Sequence, residues 1–175
     1  DGCVLLAGDA AHMMPPFMGQ GMCSGVRDAA NLAWKLVEVV RGDSPDELLD
    51  SYESERLAHT RTVIEMSVDA GRTLARLAAD PHDVPQPSQP DPHSWSRIPG
   101  LDLDGEFPAG HLLPQPDRLD NRLPLGWVWV AADEGFQSPD GNPVIVEPRA
   151  TYGQRAVLVR PDRYIAAVSA MTSSS

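Results

Sequence analysis

Apolar positions change their spacing several times along the chain. Val4, Leu5, Leu6 and Ala7 follow Cys3 as an unbroken apolar run, the pattern of a short buried strand. From Gly8 to Gly21 the period disappears, and Gly, Pro and Met predict an ordered loop. Val26, Ala29, Ala30, Ala33, Leu36, Val37 and Val40 then recur at spacings of three and four. They predict a helix from about Met22 to Val40 that buries this stripe, with Gly42 as its stop. Ser44-Pro45-Asp46-Glu47 reads as a second helix start: Ser44 caps, Pro45 suits the first helical position, and Glu47 closes a capping box. Leu48, Leu49, Tyr52, Leu57, Val63, Ile64, Val68, Leu74 and Leu77 carry that helix to about Ala79, with Gly71 as a candidate break. A buried strand needs neighbours, and nothing else in the first 80 residues supplies them. The chain therefore reads as the downstream part of a longer protein.

Between Pro81 and Pro124 lie ten of the 17 prolines, which predicts a linker or a wrapped segment rather than a core. Beyond it, Trp127 to Ala132, Val144 to Glu147 and Ala156 to Arg160 read as strands. Asp140-Gly141 marks a turn between the first two. Pro161-Asp162 ends the third, and Tyr164 to Val168 resumes it. Trp127 and Trp129 share one strand face and are expected to pack. The division expected is residues 1–80, a linker over 81–104, and a β-rich piece over 105–175. Met171 to Ser175 are expected to fray.

Of 175 residues, 42% are hydrophobic and 22% charged, which suits a packed domain. The net charge is −11, with −5 over residues 1–79 and −6 over 80–175. No basic patch exists for nucleic acid or an anionic membrane, and no apolar run is long enough to span a bilayer. The two cysteines, Cys3 and Cys23, follow no secretory signal, so a reducing cytoplasm is the expected location. Cys3, His12 and Cys23 lack the spacing of metal ligands, and no metal site is expected. Arg27-Asp28 and Glu53-Arg56 read as structural ion pairs on helices.

Chemistry concentrates in Gly8-Asp9-Ala10-Ala11-His12 and Pro15-Pro16-Phe17-Met18-Gly19-Gln20-Gly21-Met22. A carboxylate just after a strand stands where ligands bind in α/β folds. The glycines let backbone approach a ligand, and the helix start offers unpaired N–H groups at a positive dipole end. Such a site suits a polyol chain and an electron-rich oxygen, the two features of a ribityl chain and a flavin pyrimidine. Taken alone, Asp9 reads first as a simple helix or loop cap, and His12 could be a base or, as the favoured reading, a structural histidine bonded to loop backbone. Gly19-Gln20-Gly21 mimics a dinucleotide fingerprint, but it lies too far from its strand for a pyrophosphate turn. Met13, Met14, Met18 and Met22 read as packing, with an aromatic-substrate wall as the second reading.

The run from Val4 to Leu36, "GDAAH…PP…GQGM…G.RDA.NLAWKL", resembles the second flavin-binding motif of the FAD-dependent aromatic hydroxylases, the class A flavoprotein monooxygenases. Within them it is most similar to the 3-(3-hydroxyphenyl)propionate hydroxylase group. The resemblance implies an α/β fragment: the end of a Rossmann-like FAD-binding domain with long helices, then a truncated thioredoxin-like piece, since "LVRPDRYIAA" resembles the end of the family's C-terminal domain. It places Asp9 on the ribityl chain and Pro16 beside the flavin ring. It puts the backbone N–H groups of Gly21, Met22 and Cys23 on the pyrimidine edge, with Gly8, Gly19 and Gln20 completing the loop. No catalytic side chain is assigned. It further implies FAD as cofactor and NAD(P)H as co-substrate, with O2 and a phenolic substrate hydroxylated through a flavin hydroperoxide. The family's N-terminal Gly-x-Gly-x-x-Gly unit has no match here, so the ADP-binding half would lie in a missing N-terminal part. The C-terminal piece holds no cysteine, which excludes thiol redox chemistry there. Two other readings are a non-catalytic remnant or interaction module without FAD, and a related tailoring oxygenase or halogenase. The long helices could pair in a homo-oligomer.

Overall fold

The computed structural model describes residues 4–83 and 108–169. They fall into two compact units, one within residues 1–100 and one within 101–175. Cys3, most of the proline-rich segment and the C-terminal residues expected to fray lie outside the described residues.

The first unit is built on two long helices, α1 (Gly21–Arg41) and α2 (Asp50–Ala79). α1 stops where expected: Gly42 adopts φ 77°, its N–H bonds the Val39 carbonyl at 3.0 Å, and the Asp43 N–H bonds Glu38 at 2.9 Å. The second start is built differently from the capping box. Ser44 Oγ donates to Glu38 Oε2 at 2.8 Å instead of capping, and residues Asp46–Leu49 form a 3-10 turn before α2 begins. α2 runs unbroken through Gly71.

The face that α1 buries is the reverse of the one expected. Ser24, Asp28, Asn31 and Lys35 are buried, whereas Val26 is 62% and Val40 82% exposed, with Leu36 and Val37 also exposed. α2 faces it with Tyr52, Glu55, Arg56, His59, Thr60, Val63 and Ser67, again mostly polar. Charge pairing makes this burial tolerable. Lys35 Nζ lies 3.1 Å from Glu55 Oε2, Asn31 Nδ2 donates to the same oxygen at 2.7 Å, and Arg56 Nε meets Asp28 Oδ1 at 2.8 Å. The ion pairs thus cross between helices, and the expected Arg27-Asp28 pairing gives way to Arg56-Asp28. The predicted strand at Val4 to Ala7 is not formed among the described residues. Val4, Leu5 and Leu6 are exposed there and have no neighbouring strand to complete a ladder.

The second unit is a four-stranded mixed sheet of β1 (Val128–Ala131), β2 (Val144–Val146), β3 (Ala156–Val159) and β4 (Ile165–Ser169). The strand order is β2-β1-β3-β4. β1 pairs parallel with β2, while β1/β3 and β3/β4 are antiparallel. β1 is central and buried on both faces. Val128 and Val130 pack with Leu113, Leu119, Leu123 and Ile165 on one side, and Trp129 and Ala131 with Phe136 and Ala156 on the other. The three strands read from the sequence are present within a residue or two at each end, and the segment read as resuming the third is a separate antiparallel strand, β4.

Asp140 organises the β1–β2 connection. Its Oδ1 accepts from Trp129 Nε1 at 3.0 Å, Ser138 Oγ at 2.6 Å and the Asn142 N–H at 3.1 Å. The Ser138 bond leads the causes that hold its pKa down at about 2, below the 3.8 of an unperturbed aspartate. A depressed pKa means stability that is present above about 3.8 and is lost as pH falls through about 2. Asp140→Asn is therefore expected to flatten the acid limb of a Trp fluorescence titration over that window. An unchanged limb would place the acid sensitivity elsewhere. Among the described residues, no helix is long and apolar enough to cross a membrane.

Candidate functional site

Two short 3-10 turns carry the motif between the Val4–Ala7 segment and α1. The first spans Gly8–Ala10 and the second Pro16–Met18. Gly8 adopts φ 59°, and a Cβ there would lie 3.7 Å from the Gly25 Cα. The two glycines therefore let the first turn settle directly on α1.

Asp28 is the anchor of that turn. Its Oδ2 accepts from the Gly8 N–H at 2.9 Å and from His12 Nε2 at 2.6 Å, while its Oδ1 takes Arg56. Burial pushes this carboxyl towards its neutral form, but the hydrogen bonds from Arg56, the Gly8 N–H and His12 outweigh that, and its pKa lies below the ordinary value. His12 is thus bonded to a carboxylate rather than to loop backbone. A carboxylate can only accept, so Nε2 bears the proton and the ring is fixed in orientation.

Asp9 projects from the same turn. It is exposed and its carboxylate has no hydrogen-bond partner among the described residues. Pro16 is also exposed, on the second turn. That turn is held by α2: Ser67 Oγ donates to the Pro15 carbonyl at 2.8 Å. Gly19 and Gln20 join it to α1. Gln20 sits at the helix cap position but gives no side-chain cap. The N–H groups of Gly21, Met22 and Cys23 begin α1 with no capping side chain, so its dipole end is open to an acceptor. Cys23 is a free, half-buried thiol.

Beside the first turn lies a cavity of about 630 Å³, lined by Leu5, Leu6, His12, Tyr52, Arg56 and Thr60 among others. Tyr52 crosses its wall to donate to the Leu6 carbonyl at 2.8 Å. Burial and the Asp28 charge raise the Tyr52 pKa. Arg56 is 4% exposed, yet its Nη1 and Nη2 have no hydrogen-bond partner among the described residues, nor have Thr60 Oγ1 and His12 Nδ1.

Sequence reasoning did not single out Asp28 as a hub, nor Arg56 and Ser67 as supports of the loop. The signal was present in part. Ser24, Asp28, Asn31 and Lys35 recur at helical spacing and form a polar stripe as regular as the apolar one.

Residues 1–67 match the FAD binding domain family. The similarity to FAD-dependent aromatic hydroxylases is specific in sequence. The chain is 55% identical over 74 residues to the 3-(3-hydroxy-phenyl)propionate/3-hydroxycinnamic acid hydroxylase of Mycolicibacterium smegmatis, covering 42% of this chain and 13% of that protein. It is 58% identical over 72 residues to the Escherichia coli hydroxylase of the same name, covering 41% and 13%. In structure, the OxyS anhydrotetracycline hydroxylase from Streptomyces rimosus superposes with a TM-score of 0.66 at 26% identity, over 97% of this chain and 42% of that one. The matched segments are thus about an eighth of the length of the curated relatives.

Proposed function

We propose that this chain supplies the flavin-ring side of an FAD-dependent aromatic hydroxylase. The observation that carries the reading is the coincidence of three open groups in one matched motif: the unpartnered Asp9 carboxylate, the exposed Pro16 and the uncapped start of α1. A flavin fits this donor set. Asp9 would accept hydrogen bonds from ribityl hydroxyls, and Pro16 would lie against the ring. The N–H groups of Gly21, Met22 and Cys23 would face the pyrimidine oxygen and stabilise negative charge there, in the manner of an oxyanion hole. The bound flavin would supply the redox and oxygen chemistry. The residues of this chain bind and orient it, and no side chain here need move a proton. NAD(P)H as reductant, with O2 and a phenolic substrate, completes the proposed reaction. The names of the relatives favour an aryl-propenoate or aryl-propanoate ring as that substrate.

The whole enzyme requires more polypeptide than these residues. Three features support this: the exposed apolar stripe of α1, the Val4–Ala7 segment with no neighbouring strand among the described residues, and the Arg56 guanidinium whose two terminal nitrogens have no hydrogen-bond partner there. Further chain of the same protein would cover all three and bind the ADP half of FAD. In the second unit, the β2-β1-β3-β4 order with β3 antiparallel to the rest supports the thioredoxin-like reading. The proline-rich segment is the proposed linker, and a cytoplasmic location is the proposed setting.

The isolated 175 residues are expected to show no measurable FAD binding in a titration followed by flavin fluorescence, and no hydroxylase activity. Half a site makes too few contacts and leaves the ADP moiety in water. Micromolar binding by the isolated chain would contradict the division of the site proposed here.

A further inference from the structure

α2 places a glycine, Gly71, in the interior of a 30-residue helix. Glycine there costs about 1 kcal/mol relative to alanine, so a helix that does not bend at it needs another reason to carry it. The reason is space. A Cβ on Gly71 would run into Cε2 and Cδ2 of the Phe17 ring, so one of the two must shift. Alanine at this position must push the Phe17 ring away. One helical turn earlier, fully buried Ser67 donates to the Pro15 carbonyl at 2.8 Å. Positions 67 and 71 are four apart and share one helix face. They grip the chain on either side of Pro16: the carbonyl before it and the ring after it.

We propose that Ser67 and Gly71 are positioning residues, a two-point seat on α2 that sets where Pro16 stands against the flavin ring. This rests on the reading of the Pro15–Met18 turn as flavin-facing. The seat explains two features at once. α2 keeps a helix-weakening residue, and a turn containing two consecutive prolines is held by a helix some 50 residues downstream. The Phe17 ring remains half exposed, so its contact with Gly71 serves placement more than core burial.

A double-mutant comparison tests the seat. Gly71→Ala should leave or raise the helicity seen by circular dichroism, since alanine favours helix. It should also speed hydrogen exchange at the Gly19 amide, which bonds the Pro16 carbonyl at 3.0 Å, by roughly tenfold, the factor that corresponds to 1.4 kcal/mol. Adding Gly71→Ala to Phe17→Ala should cost nothing further, because the ring that clashes is gone. Ser67→Ala should loosen the same amide. In flavin-loaded protein expressed at the length of its relatives, Gly71→Ala should shift the flavin absorption bands and weaken FAD, and the double variant should match Phe17→Ala in both. Unchanged exchange in Gly71→Ala, or an equal further loss in the Phe17→Ala background, would overturn the seat. Faster exchange with an unaltered flavin spectrum and affinity would leave the seat standing and overturn its link to the flavin.

Discussion

Asp28→Ala is expected to unfold the helical unit, or to leave it only marginally folded. The carboxylate is buried and holds three donors: Arg56, His12 and the Gly8 N–H. Its removal strands a guanidinium that is itself buried, and breaking a buried pair from one side costs about 3–5 kcal/mol. A domain has only about 5–15 kcal/mol in total, so the loss is a large share. Urea denaturation followed by far-UV circular dichroism measures it. Asp28→Asn should lose less, because the amide oxygen can still accept from Arg56. The wild-type carboxyl has a depressed pKa, so its contribution is present above about 3.8 and fades as pH falls below that value. The gap between wild type and Asp28→Asn should therefore narrow in acid. A loss below about 1 kcal/mol for Asp28→Ala would mean that the hub is not structural.

Asp9→Ala is expected to do the opposite: little to the fold and much to the cofactor. Asp9 is exposed and its carboxylate has no partner among the described residues, so alanine removes no internal hydrogen bond or ion pair. A charge-assisted hydrogen bond to a ribityl hydroxyl is worth on the order of 1.5–3 kcal/mol. In protein expressed at the length of its relatives, its loss should weaken FAD by roughly 10- to 150-fold. The loss should appear as apoprotein that regains activity when excess FAD is added. Normal turnover after dialysis would remove Asp9 from the site. Failure of saturating FAD to restore activity would give it a role beyond binding.

Local signals were legible where they depend on neighbours in sequence. The Gly42 stop, the strand segments and the Gly8–Cys23 motif all follow from adjacent residues. What the apolar period misplaced is the buried face of α1. Periodicity marks a stripe that wants cover, but it does not say which partner covers it. In this chain α2 covers the polar stripe instead, since Lys35, Asn31 and Asp28 meet Glu55 and Arg56 there. The apolar run at Val4 to Ala7 failed as a strand for a related reason: a strand is defined by its partner. Ser67 escaped notice, and Gly71 reads from sequence only as a candidate break, because their meaning lies in the Pro15 carbonyl and the Phe17 ring, about 50 residues away. An Asp-Gly turn could be read at Asp140, but its bond to Trp129 could not.

The most direct test of the flavin-site reading is the flavin content of purified, dialysed protein expressed at the length of its relatives. The account predicts a yellow protein with one FAD per chain, and an Asp9→Ala variant that emerges from the same dialysis largely colourless and takes FAD up again. A full-length wild-type protein that carries no flavin absorbance and gains none when FAD is added would contradict it.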